Sequence, residues 1–149
     1  MPSLLVVHHT PSPACDDLLD AVLRGARQEG LEAVEVSTSA ALNTTPSQVL
    51  SADGLILGTP ANMGYMSGAL KVFFDACYYP CLRETEGRPY GLFVHGGNDV
   101  TGAVKSVETL AGGLKWSAVS APVTVVGQPT REHLAALVEL GGVVAATLR

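Results

Sequence analysis

Three short stretches of this 149-residue chain hold most of the groups suited to ligand chemistry. In the first, Thr10-Pro11-Ser12-Pro13-Ala14-Cys15, two hydroxyls stand just ahead of a segment with helical spacing. Ser12 at an N-cap and Pro13 at the first helical position mark a helix start. There the amides of Ala14 and Cys15 have no helical partner and the macrodipole is positive. Hydroxyls, open amides and a dipole suit a phosphate even without a lysine, since each charge-assisted hydrogen bond is worth about 1.5–3 kcal/mol. An ordinary capped helix would use the same residues, and Asp16 and Asp17 would repel a dianion. The second stretch, Thr59-Pro60-Ala61-Asn62-Met63-Gly64-Tyr65, and the third, His95-Gly96-Gly97-Asn98, are small, apolar and glycine-bearing. They suit a flat, mostly apolar group held by backbone amides.

Other reactive side chains fit chemistry less well. Cys77–Arg83 has the C-x5-R spacing of a phosphatase nucleophile loop, but it follows a helix and holds no glycine to cradle phosphate. Cys77 and Cys81 lack the further Cys/His pair that a metal site needs, so packing or an exposed-loop place is the expectation. His8, His9 and His95 fall at strand ends, and Tyr78, Tyr79 and Trp116 could stack on a ring or fill core and interface.

These stretches need elements to position them. Leu4–His8 is a short apolar run expected as a buried strand, followed by a helix whose face is Cys15, Leu18, Leu19, Val22 and Ala26 and which stops at Gly30. Leu31–Val36 reads as a more polar edge strand, and a helical turn is expected near Pro46–Leu50. Gly54–Gly58 is the third strand. Leu70, Phe73, Phe74 and Cys77 then repeat at i, i+3, i+4 and i+7 on one helix face, and Cys77–Pro89 reads as an exposed loop. Tyr90–His95 is the fourth strand, before a helix that Asp99 can cap; Val123–Val126 is the fifth, before a last helix capped by Thr130. Strands alternating with helices imply an α/β fold with a five-stranded parallel sheet covered on both faces. With the polar second strand at an edge, the expected order is 2-1-3-4-5. The loops after strands one and three then face each other across a crevice at the switch point, with His95–Asp99 beside them.

Composition sets the limits. One domain over 1–149 is the expectation at this length. Hydrophobic residues at 47% and charged residues at 15% exclude the disorder signature. A net charge of -5 with only nine Lys and Arg argues against nucleic acid or an anionic membrane surface. No run approaches the roughly 18 apolar residues of a membrane span. The opening MPSLLVVHHTP lacks a basic n-region and reads as a strand instead of a signal peptide. Three cysteines without paired spacing fit a reducing, cytoplasmic setting. A receiver domain would need acidic residues where this chain has His8-His9-Thr10 and Gly58-Thr59-Pro60.

Gly58-Thr59-Pro60, Gly64, Met66, Gly68 and Lys71 together resemble the G-T-P-x-x-x-G-x-M-x-G-x-x-K pattern of flavodoxin-fold NAD(P)H:quinone oxidoreductases and FMN reductases of the tryptophan-repressor-binding-protein type. His9–Cys15 is similar to the phosphate loop of that superfamily at Thr10 and Ser12. Pro13 stands where glycine is common, which removes one backbone donor, and Cys15 where a hydroxyl is common. His95-Gly96-Gly97-Asn98 is similar in position to the third flavin-contacting loop. The resemblance implies a flavodoxin-like three-layer sandwich with FMN as cofactor. Thr10, Ser12, Ala14 and Cys15 would hold its phosphate, Thr59–Tyr65 would run beside the ring, and His95–Asn98 would close the other edge. It further implies an oxidoreductase that takes electrons from NADH or NADPH and passes them to a small-molecule acceptor, flavin or quinone-like, or to a redox protein. A one-electron carrier and a flavin-free interaction protein are the alternatives, and a homo-oligomer is left open. Acidic net charge and loops without Lys or Arg would disfavour an anionic reduced flavin, so a low potential is the expected direction.

Overall fold

The computed structural model describes residues 1–149. Apolar runs with no polar face can only be buried on both sides, and they form the middle of the sheet. β1 (Ser3–His8), β3 (Gly54–Asn62) and β5 (Pro89–Gly96) are these central strands, with β2 (Glu35–Ala40) outside β1. The far side of β5 is shared by two short strands, β6 (Ser117–Ala118) against Pro89–Tyr90 and β7 (Val123–Val126) against Phe93–Gly96. All these pairings are parallel. The expected order 2-1-3-4-5 therefore holds, with its fifth strand in two pieces. β4 (Tyr65–Met66) folds back antiparallel on the end of β3.

Side chains alternate across the sheet. Leu4, Val6, Ile56, Phe93 and Val125 pack toward α1 (Pro13–Ala26) and α5 (Arg131–Leu148). Leu5, Val7, Leu55, Leu57, Leu92 and Val94 pack toward α2 (Pro46–Ser51), α3 (Gly68–Cys81) and α4 (Thr101–Gly113). This is the three-layer sandwich. On the first face α1 and α5 approach backbone to backbone, because a Cβ on Gly25 would lie 1.9 Å from Val138 O and one on Gly141 2.1 Å from Val22 O.

Four local expectations need correction. α1 stops at Ala26 with Arg27 as its cap, and Gly30, at φ 97°, lies in the turn beyond it. The second strand is Glu35–Ala40 and not Leu31–Val36. Leu31 and Val34 are buried in the first-face core from the turn before it, while the strand itself, EVSTSA, has no apolar alternation and is held by pairing with β1 from Ser3↔Glu35 to His8↔Ala40. Cys77–Cys81 is not exposed loop. α3 runs on through Cys81, and both thiols are buried, extending the Leu70–Phe74 stripe by a turn. Pro80 falls in the last turn of the helix, to which it contributes no N–H. Burial, then the neighbouring Cys81, pushes the Cys77 thiol up to about 11. Finally, Thr59–Tyr65 is less a loop than the top of a hairpin. Trp116 is core: its indole Nε1 donates to Thr85 Oγ1 at 2.9 Å, with Phe74 and Tyr90 around it.

Candidate functional site

Three chain segments leave the carboxyl edge of β1, β3 and β5, and each presents amides that nothing in the chain uses. Beyond β1, His9 N donates to Gly58 O at 3.0 Å, which fixes the exit of β1 against β3. Ser12 is extended (φ -144°, ψ 161°) and caps α1, its Oγ accepting from Cys15 N at 3.2 Å while its carbonyl accepts from Asp16 N at 3.0 Å. The Cys15 amide is therefore spent inside the cap and its thiol is buried. The amides of Thr10, Ser12 and Ala14 have no partner in the chain, and Ser12 keeps its O–H free to donate outward. Thr10, Pro11, Ser12, Pro13 and Asp16 line a shallow depression of about 350 Å³.

β3 continues as a strand through Pro60 and Ala61 to Asn62. It reverses in a two-residue turn with Met63 at φ 51° and Gly64 at φ 76°, then returns as Tyr65–Met66. Left-handed values at both central residues suit the twist of a two-residue hairpin. Thr59 is buried: its hydroxyl accepts from Ser67 N at 3.0 Å and donates to Pro60 O at 2.8 Å. That hydroxyl holds the hairpin base and the start of α3, which Ser67 caps through Leu70 N. The amides of Met63 and Gly64 are open, Met63 is fully exposed and Tyr65 partly so. The tip rests on α4: Met66 N donates to Ser106 Oγ at 3.1 Å, and a Cβ on Gly102 would lie 2.0 Å from Gly64 O.

The register Pro60↔His95 brings the third segment beside the hairpin. A Cβ on Gly96 would come within 2.7 Å of Val100 Cγ1 and 3.3 Å of Ala61 Cβ, so this approach requires glycine. Gly97 and Asn98 are exposed with open amides. Asp99 Oδ1 accepts from Thr101 N at 2.9 Å, and this bond to the start of α4 holds its carboxyl below the usual range. His95 Nε2 donates to Gly127 O at 2.8 Å, and Gly127 N donates to Gly96 O at 2.8 Å. The segment after β7 thus joins the rim; a glycine just past the fifth strand, Gly127, was the available signal for it.

Sequence reasoning also missed the region beside β1. His8 Nδ1 lies 2.7 Å from Thr10 Oγ1. The turn Ala41–Asn43 closes a hollow of about 300 Å³ with His8, His9, Thr10, Ala40 and Ala69, and His9 Nδ1 is buried without a partner. Residues 9–15, 59–65 and 95–99 include no Lys or Arg. The donors of these loops are amides, hydroxyls and the imidazoles of His9 and His95, and exposed apolar side chains, Leu42, Met63, Tyr65 and Val126, lie along the same edge of the sheet. Neutral donors at one place and apolar rim at another fit a ligand with a phosphate and a flat ring, which FMN has.

Residues 11–130 match the family model for NADPH-dependent FMN reductase. Over 105 residues the chain is 34% identical to a flavodoxin of Aquifex aeolicus (strain VF5), a match covering 67% of this chain and 56% of that protein. The aligned part thus spans little more than half the length of that relative. Among solved structures, 98% of the chain superposes on 36% of rubredoxin oxygen:oxidoreductase from Desulfovibrio gigas with a TM-score of 0.81 and 15% identity. A WrbA-like flavodoxin protein from Agrobacterium tumefaciens is covered over 98% of its length by 100% of this chain, with a TM-score of 0.79 and 19% identity. At such identities the solved structures speak for the flavodoxin-like fold, whereas the family match covers most of the chain and includes the hairpin, the third loop and all but the first residues of the phosphate loop. The chain belongs to the NADPH-dependent FMN reductase family.

Proposed function

We propose that the protein binds FMN across the carboxyl edge of its sheet and reduces flavin or quinone-like acceptors with electrons from NADH or NADPH. The observation that supports this reading is that the three segments leave one carboxyl edge of the sheet side by side, each with open amides, in a chain of an FMN reductase family. Thr10 and Ser12 offer hydroxyls and Ala14 an amide to the phosphate. Cys15 contributes by anchoring the Ser12 hydroxyl, and Thr59 by fixing the hairpin. Pro60, Ala61, Asn62, Met63, Gly64 and Tyr65 flank the ring on one side, with His95, Gly96, Gly97 and Asn98 on the other. When bound, FMN supplies hydride acceptance and electron transfer, and the protein supplies orientation, electrostatics and exclusion of water. No side-chain acid or base is required of the chain for that step. The absence of cations in the loops favours a low reduction potential.

A one-electron carrier is the second reading, supported by the relative named flavodoxin. Anaerobic mixing of the FMN-loaded protein with NADH or NADPH separates the two. Rapid loss of the visible flavin absorbance supports the reductase. No loss with either nucleotide, together with dithionite reduction in two resolved one-electron steps, supports the carrier. A colourless protein whose melting temperature does not move with added FMN overturns both and leaves a flavin-free interaction protein.

A further inference from the structure

His8 ends β1, lines the hollow closed by Ala41–Asn43 and Ala69, feels the charge of Asp16 on α1, and has its Nδ1 2.7 Å from Thr10 Oγ1. This contact has two polarities. With Nδ1 as acceptor, the imidazole takes the hydrogen of the Thr10 hydroxyl, and Thr10 presents only lone pairs to an incoming anion. With Nδ1–H as donor, the Thr10 hydroxyl is held by its oxygen and its hydrogen is left to donate outward. A phosphate at Thr10 and Ser12 selects the second arrangement, which the neutral Nδ1–H tautomer already supplies; the added proton goes to Nε2, and it is the charge of the anion that favours it. No Lys or Arg lies in residues 9–15, so the groups that can become cationic behind that phosphate in the neutral pH range are His8 and His9, and of these His8 is the one in contact with Thr10.

The surroundings keep it neutral in the free protein. Burial, then neighbouring His9, hold His8 below its ordinary value, while Asp16 on α1 pulls the other way. Gly58 on β3 and Ala40 on β2, which pair with His8, are uncharged, and so are Ala41, Leu42, Asn43 and Ala69, which share its hollow. A dianion set against Thr10 adds a field of the same sign as Asp16 and closer in purpose: it rewards protonation of the imidazole.

We propose that His8 is a proton-linked positioning residue for the ligand's phosphate, taking up a proton as a phosphate monoester binds and, through Nδ1–H, holding the Thr10 hydroxyl with its hydrogen toward the anion. The inference rests on the phosphate assignment of the proposed function. It makes affinity for the phosphorylated ligand depend on pH, while affinity for the same ring without phosphate does not.

The test titrates the apoprotein with FMN and separately with riboflavin, by flavin fluorescence at constant ionic strength from pH 6.5 to 8.5. A monoester phosphate has its second pKa at about 6, so FMN is largely dianionic throughout, and its own ionisation would tighten binding toward high pH. The expected result is the opposite trend: the FMN dissociation constant rises with pH, by up to ~10-fold per pH unit, the limit for one linked proton. The riboflavin constant stays flat. Calorimetry in two buffers of different ionisation enthalpy should show net proton uptake with FMN and none with riboflavin. His8→Gln, whose side-chain amide can still donate to Thr10, should flatten the FMN profile while retaining affinity at pH 8.5. FMN binding that is independent of pH, an equal slope for riboflavin, or a slope that persists in His8→Gln overturns the inference. Should His8→Gln fail to fold, His9→Gln decides: an FMN slope that survives in His9→Gln supports His8, and one that His9→Gln abolishes overturns the assignment to His8. Absence of FMN binding at every pH overturns the cofactor assignment itself and the inference with it, and is distinct from binding without a pH trend.

Discussion

At the scale of single residues, Ser12 Oγ accepts from Cys15 N as the cap of α1, which leaves its hydrogen free for the phosphate contact proposed above. Ser12→Ala is expected to weaken FMN by roughly 10-fold or more while affecting riboflavin far less, since a hydrogen bond to a charged group is worth about 1.5–3 kcal/mol. Loss of the cap adds a stability cost of about 1 kcal/mol to the apoprotein. Flavin fluorescence titration with both ligands checks the first effect, and equal losses would remove Ser12 from the phosphate site. A second expectation concerns pH in the apoprotein. Because burial holds His8 below its unfolded value of 6.5, the unfolded chain takes up the proton first as pH falls. The stability that His8 contributes is complete above that value and is lost as pH drops through the lowered one. Urea unfolding of the apoprotein at pH 7.5 and pH 5 should therefore show a larger loss in the unmodified protein than in His8→Gln. The Thr10 and Ser12 hydroxyls could be picked from sequence because N-cap chemistry is local. The inward turn of Thr59 toward Ser67, and the meeting of His8 with Thr10, could not, because both depend on how the chain curves after its strand ends.

At the scale of elements, the site depends on the β3–β4 hairpin and the start of α4 being seated against each other. Gly102 permits this, with Gly64 O where its Cβ would be. Gly102→Ala should push the hairpin tip off α4, and the expected outcome is weaker binding of both FMN and riboflavin, with a smaller fall in melting temperature than a core cavity would cause. Unchanged affinity for both would show that the hairpin position does not matter to the ring. Helical spacing made the start of α3 legible through Leu70, Phe73, Phe74 and Cys77. Its last turn was hidden because Pro80 and the charged residues after it read as loop, although Cys81 continues the buried stripe. The hairpin was hidden for a different reason: its turn places Met63, not Asn, at a left-handed position ahead of Gly64, so the usual two-residue turn signal is missing. β2 escaped alternation altogether, being a strand by virtue of its neighbour.

At the scale of the whole molecule, the order of the sheet followed from which runs were apolar on both faces, and that is information a sequence carries plainly. What it does not carry is how closely the layers meet. α1 and α5 touch through Gly25 and Gly141, and Gly141→Ala should destabilise the fold by about 1–3 kcal/mol or more, since the obstructing atom is backbone and cannot rotate away. Gly112→Ala is the control: a Cβ there meets nothing, and in the last turn of α4 it should stabilise by at most about 0.5–1 kcal/mol, the value for a helix interior. Denaturant unfolding of both variants checks the contrast, and equal effects would contradict the close crossing. The same economy of space has a consequence for the hairpin. A two-residue turn pinned to α4 by Met66 N, Ser106 Oγ and the Gly64–Gly102 contact has no slack with which to swing open. Escape of a bound molecule is then timed by the breaking of its own contacts, so its departure should follow a single exponential and be nearly indifferent to solvent viscosity.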